Sequence, residues 1–132
     1  MPVRSLHSST IIWPTAEEVI AALEPWASKL AQDHRHIVAI GYFGSYAAGR
    51  SGVGSDLDLV VITEDTGIPR ERRTMTFPLE ELPVPTDALV FTTSEWRALQ
   101  SRDTRFARML REETIWVWHE AQGANRRVEL HA

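Results

Sequence analysis

Residues 41–62, GYFGSYAAGRSGVGSDLDLVVI, decide the fold. They open in the tail of an apolar, β-branched run, 36–43 (HIVAIGYF), which reads as a buried strand. Gly44-Ser45 ends that strand, 46–50 predict a short helix, and 51–55 form a glycine-containing loop. Residues 56–63 (DLDLVVIT) then read as a second strand. Side chains two apart on a strand share a face. Asp56 and Asp58 are therefore expected to project together, while Leu57, Leu59 and Val61 enter the core. Two carboxylates side by side repel each other, and hard divalent cations with oxygen ligands suit such a pair. A bare D-x-D is ordinary, because Asp is common at strand starts. Gly44-Ser45 adds to it: glycine admits close approach of backbone to ligand. N–H groups at a turn entering a helix attract anions, and the Ser45 hydroxyl offers a phosphate a further hydrogen bond. Gly-Ser alone is likewise a common turn.

On the N-terminal side, 1–14 read as an irregular lead-in. Residues 15–33 read as helical, with Val19, Ile20, Leu23, Trp26 and Leu30 at helical spacing and Thr15 with Glu18 as a capping box. Pro25 predicts a kink or two short helices. On the C-terminal side, 64–81 are expected to be a surface excursion and a candidate for mobility. Residues 84–92 (VPTDALVFT) read as a third strand, which Pro85 places at an edge or a strand start. Thr92 and Glu95 suggest a second capping box before EWRALQ. Asp103 is expected to cap a helix containing Phe106, Met109 and Leu110, 114–118 (TIWVW) form a last strand, and 120–132 form a tail. This order gives an α/β (α+β) layer structure, a small mixed β-sheet with flanking helices. The linkers are too short for repeated βαβ crossovers, so a doubly wound parallel sheet is not expected.

Bulk properties narrow the function. The chain has 132 residues, 43% hydrophobic and 24% charged, which predicts one globular domain over 1–132. There are no cysteines, so disulfides, thiolate zinc sites and cysteine nucleophiles are excluded. That composition fits a reducing cytoplasm, the expected location. The N-terminus lacks the apolar run of a signal peptide, and no segment approaches the roughly 18 apolar residues of a membrane span. A formal net charge of -4 argues against nucleic-acid binding through bulk charge.

The elements 44–62, set between two predicted strands, resemble the signature of the DNA polymerase beta-like nucleotidyltransferase superfamily. The similarity is greatest to its minimal nucleotidyltransferase branch: apolar strand, G-S, a spacer (here 46–55), then D-x-D. The fold resemblance extends over 15–118. It implies a third carboxylate on a later strand, which Asp87 in PTDALVF matches in position; an Asp there also commonly bonds its own backbone in a turn. It implies that Asp56, Asp58 and Asp87 hold two magnesium ions against a nucleoside triphosphate, with Asp87 available as a base. Gly44 and Ser45 then hold the phosphates. The implied reaction moves a nucleoside monophosphate from the triphosphate, ATP by expectation, to a hydroxyl, by positioning and charge neutralisation. Small members of the branch act with a separate helical protein in toxin–antitoxin-like pairs, so such a partner is expected. The Trp-rich strands also suit a homodimer.

One departure bears on activity. Many minimal members carry arginines soon after Gly-Ser, where this chain has Tyr46 and Ala48. Arg50, after Gly49, is either the substitute phosphate contact or an ordinary surface arginine. The alternative reading is a catalytically weak or inactive partner-binding module of the same fold. Arg102, Arg105, Arg108 and Arg111 form a drifting stripe, read as a solvated face in preference to a nucleic-acid contact. Trp116 and Trp118 are expected to share one strand face in packing. His34 and His36 lack zinc-ligand spacing. There is no G-x-x-x-x-G-K-[ST], so a P-loop is not supported.

Overall fold

A computed structural model describes residues 3–4 and 11–120. The expected tail therefore lies, apart from Glu120, outside the described residues. The lead-in holds a two-stranded antiparallel ribbon, β1 (Val3–Arg4) and β2 (Ile11–Ile12), where irregular chain was expected. After it come α1 (Ala16–Asp33), β3 (Ile37–Phe43), α2 (Ser45–Ala48), β4 (Leu57–Thr63), β5 (Thr86–Thr92), α3 (Thr93–Gln100), α4 (Arg105–Glu113) and β6 (Ile115–His119). Strands β3 to β6 form one sheet in the order β5-β4-β3-β6. β3 is antiparallel to β4 and β6, and β4 is parallel to β5. The sheet is mixed, as the element order predicts.

Its two faces are both covered, which explains why β3 is buried along its whole length. One face carries α1, whose Val19, Leu23, Trp26 and Leu30 pack on Ile40, Leu57, Leu59 and Val61. The other carries α3 and α4, whose Trp96 and Leu110 pack with Phe43, Val60, Ile62 and Phe91. Burying each such side chain contributes roughly 1.5–3 kcal/mol against leaving it in water. Both predicted capping boxes are present: Thr15 with Glu18, and Thr92 with Glu95.

Three expectations are corrected. Pro25 does not divide the first helix, which runs unbroken for 18 residues. Pro25 and Ala21 both lie on the exposed side, so the Ala21 carbonyl that loses its helical partner faces solvent, which can bond it. The neighbouring Trp26 is fixed by its indole N–H, which donates to the Pro78 carbonyl at 3.0 Å. Secondly, α4 is capped by Thr104, whose hydroxyl accepts from the Ala107 N–H at 3.1 Å; Asp103 instead accepts from the Arg108 guanidinium. Arg102 thus precedes the helix, and the arginine stripe is broken there. Thirdly, Trp116 and Trp118 pack on opposite faces, Trp116 with the α3/α4 cluster and Trp118 with the α1 cluster. The β3–β6 register shifts between Ile40 and Gly41, and one residue of slip exchanges faces. Gly41 makes room for it: a Cβ there would lie 2.8 Å from the Trp116 ring and 2.9 Å from the Ile115 carbonyl oxygen.

The stretch 64–81 is a surface excursion, as expected, with Phe77 its one buried residue. This stretch begins the crossover between parallel β4 and β5, built from two short 3-10 turns, Arg70–Arg72 and Leu79–Glu81. Arg73 ties it to the sheet and to α3. Arg73, 8% exposed, donates to Glu95 at 2.7 and 3.2 Å, to the Val90 carbonyl at 3.0 Å and to the Ile68 carbonyl at 2.8 Å. The Val90 contact shields part of the outer edge of β5. Further on, Phe77, Leu82 and Val84 enter the α1 cluster. No described helix is long and apolar enough to cross a membrane.

Candidate functional site

The candidate residues meet at one end of the sheet, where β3 finishes and β4 and β5 begin. Parallel pairing sets Asp58 directly beside Asp87, and the following pairs, Leu59 with Ala88 through Thr63 with Thr92, keep that register without a slip. Adjacent strands lie about 4.8 Å apart, so the register alone makes the two carboxylates neighbours. Asp58 is half-buried and Asp87 exposed. Asp56 lies just before β4, exposed, with Leu57 anchored behind it by an N–H bond of 2.9 Å to the Pro85 carbonyl. β4 starts one residue later than the sequence predicts, because pairing with β5 begins at Leu57.

Electrostatics tie the three together. Burial pushes the Asp58 carboxyl up from its ordinary range, and the charges of Asp87 and then Asp56 push it further. Three acids converge here, and one of them resists ionisation in the absence of a counter-charge. Among the described residues no group of three or more His, Asp or Glu side chains is arranged to hold a metal ion as the protein stands. The donor set, all carboxylate oxygen, fits magnesium in chemical type.

Gly44 joins this group from the opposite strand. Phe43 pairs with Asp58 across the β3–β4 ladder, and Gly44 follows it with φ 76° and ψ −149°, a region open essentially to glycine. A Cβ at Gly44 would sit 2.5 Å from Asp58 Oδ2. Glycine is thus required twice, for the backbone turn and for the carboxylate beside it. Ser45 is the first residue of α2 and half-buried. Tyr46 is buried in the α1 cluster, and Ala48 is exposed. α2 ends at Gly49 in the left-handed conformation. Arg50 is exposed, its backbone N–H donating to the Ser45 carbonyl at 2.9 Å. No ion pair draws its side chain to the carboxylates among the described residues. The structure brings Gly44, Asp56, Asp58 and Asp87 together.

Sequence reasoning missed the groove beside this cluster. Asp87 shares its β5 face with Leu89 and Phe91. Those two, with Arg70, Leu99, Arg102 and Phe106, border a cavity of about 410 Å³ under α3 and α4. Phe106 meets Phe43 edge-on at 6.5 Å, so the groove reaches the strand that pairs with Asp58. The alternation in DALVF was the available signal; the crossover and inter-helix turn that bring Arg70 and Arg102 over it carried none.

Residues 26–117 match the family described as nucleotidyltransferase domain. A crystal structure from Sulfolobus solfataricus, of a protein assigned as a nucleotidyltransferase, is similar with a TM-score of 0.59. The two share 14% identity over 89% of this chain and 96% of that one. A toxin–antitoxin structure with AMP-PNP is similar with a TM-score of 0.51 and 23% identity, over 77% of each chain. At these identities the likeness is one of fold, a four-stranded mixed sheet with flanking helices. No curated protein sequence matches this one.

Proposed function

We propose, from the premise that this chain belongs to the nucleotidyltransferase domain family, that it moves a nucleoside monophosphate from ATP to a hydroxyl acceptor. The observation that carries the reading is the meeting of Gly44 with Asp58 and of Asp58 with Asp87. It sets a glycine turn, whose backbone is free of a side chain, against three coupled carboxylates. Asp56, Asp58 and Asp87 would hold two magnesium ions. Bound there, the ions supply charge neutralisation to the triphosphate and to the oxygens that enter and leave.

The chain's own groups do the rest. The Gly44 turn and the Ser45 hydroxyl hold and orient the phosphates of the leaving group, and Arg50 lies close enough in sequence to add a cation. The acceptor oxygen bonds to the α-phosphorus, the bond from that phosphorus to the bridging oxygen breaks, and pyrophosphate departs. Asp87, exposed at the strand start, takes the hydroxyl proton. The toxin–antitoxin likeness, determined with AMP-PNP, supports ATP as the donor and a protein as partner; the resemblance to the minimal branch makes that partner a helical one.

A second reading, a partner-binding module with weak catalysis, draws on one observation. α2 offers no cation: Tyr46 is buried and Ala48 is short. A thermal-shift titration with magnesium and each of ATP, GTP, CTP and UTP separates the two readings, because ligand bound to the native state raises its apparent stability. Transfer predicts a metal-dependent shift, largest with ATP and absent in Asp56→Ala/Asp58→Ala. No shift with any nucleotide, from folded protein, refutes the nucleotide site and favours the binding module.

A further inference from the structure

In-line displacement puts the entering and leaving oxygens on opposite sides of the phosphorus. With the leaving phosphates on the Gly44 turn, at the end of β3, the acceptor must arrive from the far side of Asp58, which is the β5 side. The groove bordered by Leu89, Phe91, Leu99, Phe106, Arg70 and Arg102 lies on that side. Leu89 and Phe91 stand about 7 and 13 Å along β5 from Asp87, on its own face. The geometry points to this groove as the acceptor site, taking an acidic peptide segment whose apolar side chains line the floor and whose hydroxyl reaches Asp87. The inference rests on the transfer reading given above.

Two features choose that chemistry. The floor is apolar and accessible: Phe106 is 43% exposed, and Leu89 and Leu99 are partly exposed. The charge above it is cationic. Glu95, the acid in the wall, is held by Arg73 at 2.7 Å, and Arg70 stands over the Phe91 ring at 5.2 Å from its centroid and 3.8 Å from Glu95. Arg102 has no ion pair among the described residues. With Arg70 and Arg102 in the lining, and Glu95 already held by Arg73 from behind it, the groove favours an anionic segment over a cationic one. This bias stands out in a chain whose net charge is -4.

The test uses two fluorescein-labelled probes, a peptide alternating Glu and Leu around a single Ser and its counterpart with Lys for Glu. Binding is read by anisotropy, with the magnesium–ATP thermal shift measured in parallel on the whole chain. Wild type should bind the Glu peptide and not the Lys peptide. Arg102→Glu, at an exposed turn position, should weaken the Glu peptide about tenfold, gain the Lys peptide, and keep the ATP shift. Arg70→Glu should act in the same direction. An intact ATP shift without binding of the Glu peptide, or binding indifferent to Arg102→Glu, overturns the acceptor assignment alone. Loss of the ATP shift in Arg102→Glu places the donor in the groove and also overturns it. Peptide binding without any ATP shift in wild type refutes the transfer reading, and the groove's role as acceptor site with it.

Discussion

Replacing Gly44 by alanine tests the site through a single methyl group. The backbone at Gly44, φ 76° and ψ −149°, is strained for any residue with a Cβ, at about 1–3 kcal/mol. For a domain of this size that lowers Tm by roughly 3–15 °C. The new Cβ would lie 2.5 Å from Asp58 Oδ2, about 1 Å inside ordinary contact. Since Oδ2 ends a rotatable side chain, the carboxylate gives way, and the damage falls on its position. A misplacement of about 1 Å in a reacting centre costs on the order of a hundredfold in rate. Gly49→Ala is the control. It too has positive φ, 74°, but nothing lies within 4 Å of a Cβ there, so it pays backbone strain of about 1–2 kcal/mol without disturbing Asp58. Pyrophosphate release from ATP and thermal melts, on both variants, give the comparison. Gly44→Ala should lose about a hundredfold in turnover, while Gly49→Ala melts earlier with turnover largely kept. If Gly44→Ala turns over like wild type, or if the two lose turnover equally, the coupling between the turn and Asp58 is not what shapes the site.

Glu95 is held down to about 2, from an ordinary 4.5, chiefly by its hydrogen bond from Arg73. Its ionised form therefore stabilises the fold above pH 4.5, and that contribution fades as pH falls toward 2. Glu95→Gln should cost about 1–3 kcal/mol near neutrality and flatten the acid limb of a melting profile; an unchanged limb would locate the acid sensitivity elsewhere. Asp58→Asn removes a carboxyl that burial and two like charges disfavour. Without magnesium it should raise stability by about 1 kcal/mol while abolishing the ATP shift, and a destabilised variant would contradict the repulsion argued for the cluster. Gly41→Ala drives a methyl into the Ile115 carbonyl and the Trp116 ring, so it should cost about 1–3 kcal/mol by overpacking. Hydrogen exchange should report faster opening along β6, and unaltered protection there would refute the close approach.

The sequence carried what local rules can carry. Alternation in DLDLVVI placed Leu57, Leu59 and Val61 inward, and Thr-x-x-Glu spacing announced both capped helices. It also put the three aspartates on strand starts, but only the parallel register of β4 and β5 makes Asp58 and Asp87 neighbours, and register is set by pairing partners far apart in sequence. The same limit explains the tryptophans. Strict alternation put Trp116 and Trp118 together, while a bulge opposite Gly41, invisible from β6 itself, parted them. Pro25 misled because its cost depends on which side of the helix faces water. Arg73 looked like one charge among many in RERR, and only the fold reveals it as the buried member of an ion pair.

The Arg73 clamp also determines how the molecule comes apart. β3, the Gly44 turn and β4 are contiguous in sequence and pair directly, so they open late. β5 is an edge strand, and Arg73 fastens its outer side and the first part of the crossover, to Glu95 and to the Val90 carbonyl. Releasing that clamp is expected to loosen the first part of the crossover, β5 and α3 ahead of global unfolding. Such an opening carries Asp87 away and leaves Asp56 and Asp58 beside Gly44. On the transfer reading proposed above, the partly opened protein would keep its grip on the triphosphate end while losing Asp87, and an ion pair remote from the phosphates would set how often that happens.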